Sequence, residues 1–341
     1  METKEKNKQK YENLDKIIKY DIKFPIFKIP SRCYKGKLGA GSFGTVKEYS
    51  FLSHGVAKKE MNLYNEHTFK TELAITHWYR NIYSATVLGL VIEEDIINKS
   101  AQKVPSMVLE LIDGKKLSTF INENNLVSVN LPHIELILLM HMIDLAFSLE
   151  YLHNRSLIHR DLKPENLIID KNLNLKLIDF GISKIINKGS ATYTAEAGTL
   201  IYKAPENYAI DEQSLEQTDL RVYVPKKLTA AVDIWAFGCI LSEVFGCERP
   251  WGSSKVNNPL LLIAKIGSKE EFPIPQNIKP KLKQIISQCM NTDASKRIKI
   301  KKLKSELINY FLLRINEISK QRNIKSLFKG RKGKVIHILN M

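Results

Sequence analysis

The sequence predicts an α+β fold in two parts, and two observations carry this prediction. Between Tyr34 and Ile112, five short β-prone runs are interrupted by one helical segment, which is typical of a small lobe with a five-stranded antiparallel sheet and one helix. After Asp113-Gly114 the apolar residues recur at spacings of three and four, which indicates a larger, mainly helical lobe. A chain of 341 residues is long enough to bury the cores of both parts.

In the first part, β-prone runs predict strands at Tyr34–Leu38, Thr45–Leu52, Gly55–Glu60, Thr86–Ile92 and Ser106–Ile112. The helix of this part is predicted at Glu66–Tyr79. In the second part, the regular apolar spacing of Leu131–Asn154 predicts a long helix. Later helices are expected at Thr229–Phe245, Pro259–Ile266, Pro280–Met290 and Ile300–Ile315.

Composition shifts suggest where the folded domain begins and ends. Residues 1–31 form a polar, lysine-rich extension, residues 32–315 the domain, and residues 316–341 a basic tail; within the domain the lobes meet between residues 112 and 113. Two stretches, Glu93–Pro105 and Asn207–Lys227, are interpreted as surface insertions.

Charge and cysteine usage limit the class of protein. The formal net charge is +16, and part of it lies in the tail, where a solvated basic segment is preferred over a nuclear-localisation, nucleic-acid or lipid contact. Only Phe328 lies among those charges, so nucleic acid is not an expected partner. The four cysteines show no metal-site or disulfide spacing. With no apolar run long enough for a membrane span and no apolar segment near the start, we expect a cytoplasmic protein and leave a nuclear location open.

A short polar run in the second part carries the residue types of phosphoryl transfer. Such an enzyme needs a group that orients the acceptor hydroxyl, oxygen ligands for Mg²⁺, and positive charge near the transferred group. Asp161 fits the first role and Lys163 the third. Asn166 and Asp179 fit the role of metal ligands.

A glycine-rich turn in the first part fits the binding of phosphates. The segment Leu38-Gly39-Ala40-Gly41-Ser42-Phe43-Gly44-Thr45-Val46 joins two predicted strands, and its glycines allow the backbone to approach phosphate groups. A dinucleotide-binding loop would continue as a helix, whereas β-prone residues follow here. On the next strand, side chains alternate between the two faces, so if Lys59 is the lysine that contacts the phosphates, Lys58 faces solvent.

Together these motifs resemble those of the eukaryotic-type serine/threonine protein kinases. Ile158-His159-Arg160-Asp161-Leu162-Lys163-Pro164-Glu165-Asn166 and Asp179-Phe180-Gly181 match the catalytic-loop and metal-binding motifs of that family. The glycine-rich turn and Val56-Ala57-Lys58-Lys59 match two further motifs. The resemblance covers about residues 34 to 313. It implies a two-lobed protein-kinase-like fold that binds ATP and Mg²⁺ in the cleft between the lobes.

The resemblance assigns the nucleotide-binding residues. Lys59 would contact the α- and β-phosphates, and its charge partner would be Glu72 rather than the competing Glu66. Val46 and Ala57 would lie on one side of the adenine, and Ile168 is the candidate for the other side. Leu109 occupies the gatekeeper position, and the backbone of Glu110, Leu111 and Ile112 would form the hinge that binds the adenine edge.

The same resemblance assigns supporting roles. Thr199 would hydrogen-bond the catalytic loop, Asp233 would brace it, and Arg297 would pair with Glu206. Arg160 would line a basic pocket for an anion of the activation segment, whose candidate phosphorylation sites are Ser190, Thr192, Tyr193 and Thr194.

The expected function is therefore ATP- and Mg²⁺-dependent phosphorylation of serine and threonine in protein substrates, with Asp161, Lys163, Lys59 and Glu72 in the catalytic machinery. Activation would come from an upstream kinase or from autophosphorylation. One departure is Thr76, which stands where an active kinase usually has an apolar residue. The alternative is a pseudokinase scaffold, although the Lys59, Asp161 and Asp179 positions are all kept.

Overall fold

The computed structural model describes residues 24–41, 44–62, 65–97, 100–123, 132–181, 183–185, 200–208, 229–252 and 258–321. These residues form two compact units. The first contains the described residues up to Asp113 together with Lys176–Ser183, and the second contains Gly114–Leu175 and the described residues from Lys184 onward. The predicted α+β class is confirmed, because the first unit is built on a sheet and the second mainly on helices.

The sheet of the first unit has the five predicted antiparallel strands and one more. Its strands are β1 (Ile26–Phe27), β2 (Tyr34–Ala40), β3 (Gly44–Phe51), β4 (His54–Met61), β5 (Val87–Ile97) and β6 (Ser100–Glu110). Within the described residues their order is β1-β5-β6-β4-β3-β2. Strand β1, from the segment assigned to the polar extension, pairs in parallel with β5.

The segment around β1 covers both faces of the sheet edge. Phe27 packs against a buried cluster on one face, and Phe24 packs against the cluster on the other face, which includes residues of the helix. The Leu90 N–H donates to the Pro25 carbonyl at 2.9 Å. A Cβ on Gly89 would lie 2.4 Å from the Phe27 ring and 2.5 Å from the Pro25 oxygen, so glycine is required for this close approach.

Two hairpins organise the other strands. The β3–β4 turn places Leu52 and Ser53 at φ of 48° and 64°, the left-handed pair that a two-residue hairpin turn of right-handed twist needs. The predicted insertion Glu93–Pro105 falls within the β5–β6 hairpin, whose pairing continues to Ile97 and Ser100.

The helix of the first unit, α1 (Glu66–Trp78), begins after a side-chain cap. Asn65 accepts a hydrogen bond from the Thr68 N–H at 2.9 Å, which satisfies one of the unpaired donors of the first turn. Phe69 and Leu73 on its inner face are buried with Val87 and Met107 of the sheet. This packing also places Glu72, one residue before Leu73, in the interior of the first unit.

The second unit contains the long helices predicted from apolar spacing. Its helices are α2 (Leu117–Glu123), α3 (Pro132–His153), α4 (Ala231–Gly246), α5 (Pro259–Gly267), α6 (Pro280–Cys289) and α7 (Ile300–Gln321). Its short strands are β7 (Gly114–Lys116), β8 (Leu157–Ile158), β9 (Leu167–Asp170) and β11 (Lys184–Ile185), while β10 (Leu175–Leu177) leads back to the first unit.

Helix α4 forms the centre of the second unit. Trp235 and Phe237 of α4 are buried, and a Cβ on Gly238 would lie 2.7 Å from the Cβ of Cys289 on α6. The two helices can therefore approach closely only because α4 has a glycine at this position. Among the described residues, none of the helices combines the length and the apolar character needed to cross a membrane.

Candidate functional site

The glycine-rich turn between β2 and β3 is closed by its own backbone and by one side chain. The Gly41 N–H donates to the Gly44 carbonyl at 2.9 Å, and the side-chain amide of Asn62 donates to the Gly41 carbonyl at 2.7 Å. A Cβ on Gly44 would lie 2.3 Å from the Glu60 carbonyl oxygen, so strand packing itself requires this glycine. Among the described residues outside its chain neighbours, a Cβ on Gly41 would meet no atom within 4 Å, which is compatible with a phosphate-binding turn.

One face of the sheet gathers the predicted nucleotide-binding side chains of the first unit. Val46 pairs with Lys59 across β3 and β4, and Ala57 pairs with Leu109 across β4 and β6. Because paired residues share a face and side chains alternate along a strand, all four lie on the same face. Ala57 is buried and Val46 is half-buried, whereas Leu38 at the edge is 41% exposed.

Lys59 is a buried cation of the first unit that contacts two carboxylates. Its Nζ lies 2.5 Å from Glu72 Oε1 and 2.7 Å from Asp179 Oδ1. Burial alone would lower the pKa of Lys59, but the carboxylates of Asp179 and Glu72 outweigh it and hold the pKa above its ordinary value. The competing Glu66 lies on the surface and pairs with Lys70. The structure therefore brings Lys59, Glu72 and Asp179 together and leaves Glu66 apart.

The carboxylate of Asp179 is held by a neighbouring backbone N–H group as well as by Lys59. Its φ of 68° is left-handed, an uncommon conformation for a residue with a side chain. The Gly181 N–H donates to Asp179 Oδ1 at 3.0 Å, so this oxygen accepts from both a lysine and the backbone.

The predicted solvent exposure of Lys58 is wrong. Its side chain is only 3% exposed, with Nζ 2.7 Å from Glu93 and 3.0 Å from Glu60. Alternation does place Lys58 opposite Lys59, but the opposite face carries its own buried cluster, and the Tyr49 ring lies 5.6 Å from the Nζ. Burial tends to lower the pKa of Lys58, and the hydrogen bonds to Glu93 and Glu60 raise it above the ordinary value.

Thr76 is buried on the same helix as Glu72, at the position where the sequence departs from the expected pattern. Its hydroxyl donates to the Glu72 carbonyl at 2.8 Å. The polar group is thus satisfied within the helix, and its burial leaves no unpaired hydroxyl donor.

The predicted hinge begins where β6 ends. The Glu110 N–H donates to the Thr86 carbonyl at 2.9 Å, and its carboxylate accepts from the Thr86 N–H at 3.1 Å and from Lys176 Nζ at 3.2 Å. The side chain of Glu110 therefore ties the hinge to the segment that leads to Asp179. Ile112, two residues on, is half-buried.

The second unit holds the catalytic loop through a buried carboxylate. Asp233 of α4 accepts hydrogen bonds from the backbone N–H groups of His159 and Arg160 at 2.9 and 2.8 Å. His153 Nε2 lies 2.8 Å from the same carboxylate. Burial would raise the pKa of Asp233, but the bond from His153 and the neighbouring charges and N–H group lower it below its ordinary value. The loop is thereby fixed on the central helix.

Asp161 lies at the end of this braced loop. Its Oδ2 is 2.9 Å from Lys163 Nζ and accepts from Asn166 Nδ2 at 3.0 Å. Asn166 Nδ2 also donates to the Asp161 carbonyl at 2.8 Å. The second unit therefore brings Asp161, Lys163 and Asn166 together, with Ile168 half-buried on β9.

Asn166 in the second unit and Asp179 in the first each carry an oxygen donor of a kind that suits Mg²⁺. Mg²⁺ prefers oxygen ligands, of which carboxylates and amide carbonyls are two kinds. Both hydrogen bonds described above for Asn166 use its amide nitrogen, so the amide oxygen is the atom it can offer to a cation. Asp179 offers a carboxylate.

Beyond the catalytic loop, two contacts anchor the end of the activation segment, which runs from Asp179 to Glu206. The Tyr202 hydroxyl donates to Glu243 Oε2 at 2.6 Å, and burial raises the pKa of Glu243 to about 7. Arg297 binds both carboxylate oxygens of Glu206, at 2.5 and 2.6 Å. Several predicted residues lie outside the described part of the chain: Ser42, Phe43, Ser190, Thr192, Tyr193, Thr194 and Thr199.

Sequence reasoning missed three residues that the structure adds to these surroundings: Asn62, His153 and Lys203. Lys203 Nζ lies 3.5 Å from Asp161 Oδ1. Its signal in the sequence is a lone cation within Leu200–Ala204, which is otherwise composed of apolar and aromatic residues. Asn62 and His153 gave no such signal, because neither belongs to a motif that assigns it a role.

Comparison with known proteins gives one consistent result. Residues 33–308 match the family described as "Protein kinase domain". Serine/threonine-protein kinase CTR1 of Arabidopsis thaliana is 30% identical over 271 residues, which cover 77% of this chain and 30% of CTR1. Serine/threonine-protein kinase Nek8 of Danio rerio is 31% identical over 229 residues, covering 65% of this chain and 29% of Nek8.

A third relative extends the range of similarity. The 3-phosphoinositide-dependent protein kinase 1 of Homo sapiens is 29% identical over 157 residues, covering 46% of this chain and 25% of that protein. The matches to these three relatives span between 25% and 30% of the relatives' own lengths.

Proposed function

This chain belongs to the protein kinase family, and we propose that it is a catalytically active serine/threonine kinase that transfers the γ-phosphate of ATP to protein hydroxyls in the presence of Mg²⁺. The observation that carries the proposal is the buried Lys59 ammonium between Glu72 and Asp179. A lysine kept charged in the interior is costly unless carboxylates compensate it. Here two carboxylates do so, and the ammonium is available for the phosphates of a nucleotide.

The residues divide the reaction between them. Lys59 binds nucleotide phosphates, and Glu72 holds its ammonium in place. Asp161 orients the acceptor hydroxyl and takes its proton as the new O–P bond forms and the bond to the leaving ADP breaks. Lys163 supplies positive charge beside Asp161. Mg²⁺ bound by Asn166 and Asp179 would neutralise charge on the phosphates.

Partners follow from this reaction. The acceptors are serine and threonine side chains of protein substrates, and activation by an upstream kinase or by autophosphorylation stays a prediction. The candidate phosphorylation sites lie outside the described residues.

The purified chain is expected to transfer labelled γ-phosphate from ATP to a generic basic protein, and only in the presence of Mg²⁺. Phosphoamino-acid analysis should find the label on serine and threonine. Chelation by EDTA should abolish transfer, and excess Mg²⁺ should restore it, because the metal neutralises the phosphates. Absence of transfer by a folded chain that binds ATP would instead favour a pseudokinase scaffold.

Glu72→Gln is expected to lower kcat/KM for ATP by about 10- to 100-fold, since a hydrogen bond between charged groups contributes about 1.5–3 kcal/mol. The matched control is Glu66→Gln on the same helix. Glu66 pairs with Lys70 on the surface, where the two side chains are 64% and 51% exposed, and such pairs contribute little. Steady-state kinetics at varied ATP measures both variants. Equal effects of the two substitutions would contradict the role of Glu72.

A further inference from the structure

Lys203 lies beside the catalytic-loop carboxylate on the side opposite Lys163. The Oδ2 atom of Asp161 is occupied by Lys163 and Asn166. Its Oδ1 atom is buried and accepts no hydrogen bond from the described residues, and Lys203 Nζ lies 3.5 Å from it. Each oxygen of the carboxylate therefore faces one lysine.

Lys203 also holds the backbone next to Asp161. Its Nζ donates to the Arg160 carbonyl at 2.6 Å. Arg160 has a left-handed φ of 71°, so this peptide is in a conformation that the surroundings must maintain. The N–H of Arg160 is bonded to Asp233. The loop is thus tied on one side to α4 and on the other to the segment that carries Lys203.

The segment that carries Lys203 is itself packed into the second unit. Its neighbours Tyr202 and Ala204 are buried, and the Tyr202 hydroxyl is bonded to Glu243. The Lys203 side chain is only 16% exposed. An ammonium mounted on such a segment has little freedom to leave the catalytic loop.

Burial makes the charge of Lys203 electrostatically unfavourable at this position. Burial lowers the pKa of Lys203, and attraction to Asp161 does not fully offset it, while Arg160 and Lys163 add repulsion. The folded state therefore disfavours the charged form of Lys203, although its ammonium is placed to donate to the Arg160 carbonyl. Residues that break the rules of stable burial are most often found at functional sites.

We propose that Lys203 is a positioning residue of phosphoryl transfer, which fixes the Arg160–Asp161 peptide and holds the orientation of the Asp161 carboxylate toward the acceptor hydroxyl. The inference rests on the proposed function of Asp161. It assigns to the end of the activation segment a direct contact with the residue that orients the acceptor hydroxyl.

The test compares Lys203→Met, which keeps the length and removes the charge, with Lys203→Arg, which keeps the charge. We expect Lys203→Met to lower kcat by about 10- to 100-fold, as small misplacements of a reacting group do. KM for ATP and the affinity for ADP should stay within about twofold, because Lys59 and Glu72 belong to the other unit. The melting temperature should stay the same or rise, and Lys203→Arg should recover most of kcat.

The matched control is Lys304→Met in the same unit. Lys304 is 19% exposed and pairs with Glu150 at 2.5 Å, so it resembles Lys203 in burial but lies away from Asp161. Its kcat should equal that of the wild type. A wild-type kcat in folded Lys203→Met would overturn the inference, as would a loss that follows a lowered melting temperature and is not recovered by arginine. A wild-type chain without transfer would refute the proposed function and with it this role.

Discussion

Asp161→Asn is expected to lower kcat for protein phosphorylation by about 10²–10⁴-fold, the range that general-base assistance contributes. The carboxamide keeps the shape of the side chain but cannot take the hydroxyl proton. It also removes the negative charge that faces Lys163 and Lys203. Nucleotide affinity should change little, because Lys59, Glu72 and the glycine-rich turn lie in the first unit. Initial rates at saturating ATP and titration with a fluorescent ADP analogue measure the two quantities separately.

Asp170→Asn provides the control for this substitution. Asp170 also lies in the second unit, where its carboxylate accepts from the N–H and the side-chain amide of Asn174 at 2.8 and 3.1 Å. These bonds close a turn after β9, and the asparagine variant should keep kcat within about twofold of the wild type, since asparagine also favours such turns. A kcat of purified Asp161→Asn protein that lies less than about 100-fold below the wild-type value would contradict the role assigned to Asp161.

The sheet and the long helices could be predicted because local pattern and packing agree. The β-prone run Gly55–Glu60 and the regular apolar spacing of Leu131–Asn154 are patterns typical of a strand and of a packed helix. The observed β4 (His54–Met61) and α3 (Pro132–His153) differ from them by one residue at each end. Helix and strand ends depend on capping and pairing, which extend beyond the pattern itself.

The burial of Lys58 could not be predicted, because it depends on a partner far along the chain. Alternation correctly places Lys58 and Lys59 on opposite faces. Whether the face of the sheet that carries Lys58 is exposed to solvent depends on the segment around β1 and on Glu93, which lies 35 positions after Lys58. The same holds for Phe24 and Phe27, which follow a polar, lysine-rich stretch and fall with it in the predicted extension, although they pack on the two faces of the sheet edge.

In the candidate site, too, some residues could be predicted from the sequence and others could not. The motifs indicated which residue types belong together, and the structure places Lys59 with Glu72 and Asp179, and Asp161 with Lys163 and Asn166. Lys203 follows Asp161 by 42 positions and belongs to no catalytic motif used in the sequence reasoning. Its proximity arises from the way the end of the activation segment packs on α4, which spacing alone does not express.

Arg297→Met is expected to destabilise the second unit by about 3–5 kcal/mol, the cost of leaving a buried charge without its partner. The Arg297 guanidinium binds both oxygens of Glu206, donates to the carbonyls of Ala231 and Asn291 at 2.9 and 2.7 Å, and stacks 5.0 Å from the Trp235 ring. Methionine fills part of the volume but satisfies none of these acceptors. Such a loss is a large part of the 5–15 kcal/mol that typically separates folded and unfolded states, and thermal and urea unfolding midpoints should fall together.

Lys281→Met is the control for Arg297→Met, because it removes a lysine from an ion pair that is more exposed to solvent. Lys281 pairs with Glu306 at 2.8 Å, but the two side chains are 40% and 25% exposed, so its loss should cost less than about 1 kcal/mol. Removing both partners in Arg297→Met/Glu206→Gln should recover part of the stability, since the double variant leaves no uncompensated carboxylate. A single Arg297→Met variant as stable as Lys281→Met would mean that the Glu206 carboxylate reaches water when its partner is lost. The Arg297–Glu206 ion pair would then fix the position of the end of the activation segment without contributing measurably to the free energy of unfolding.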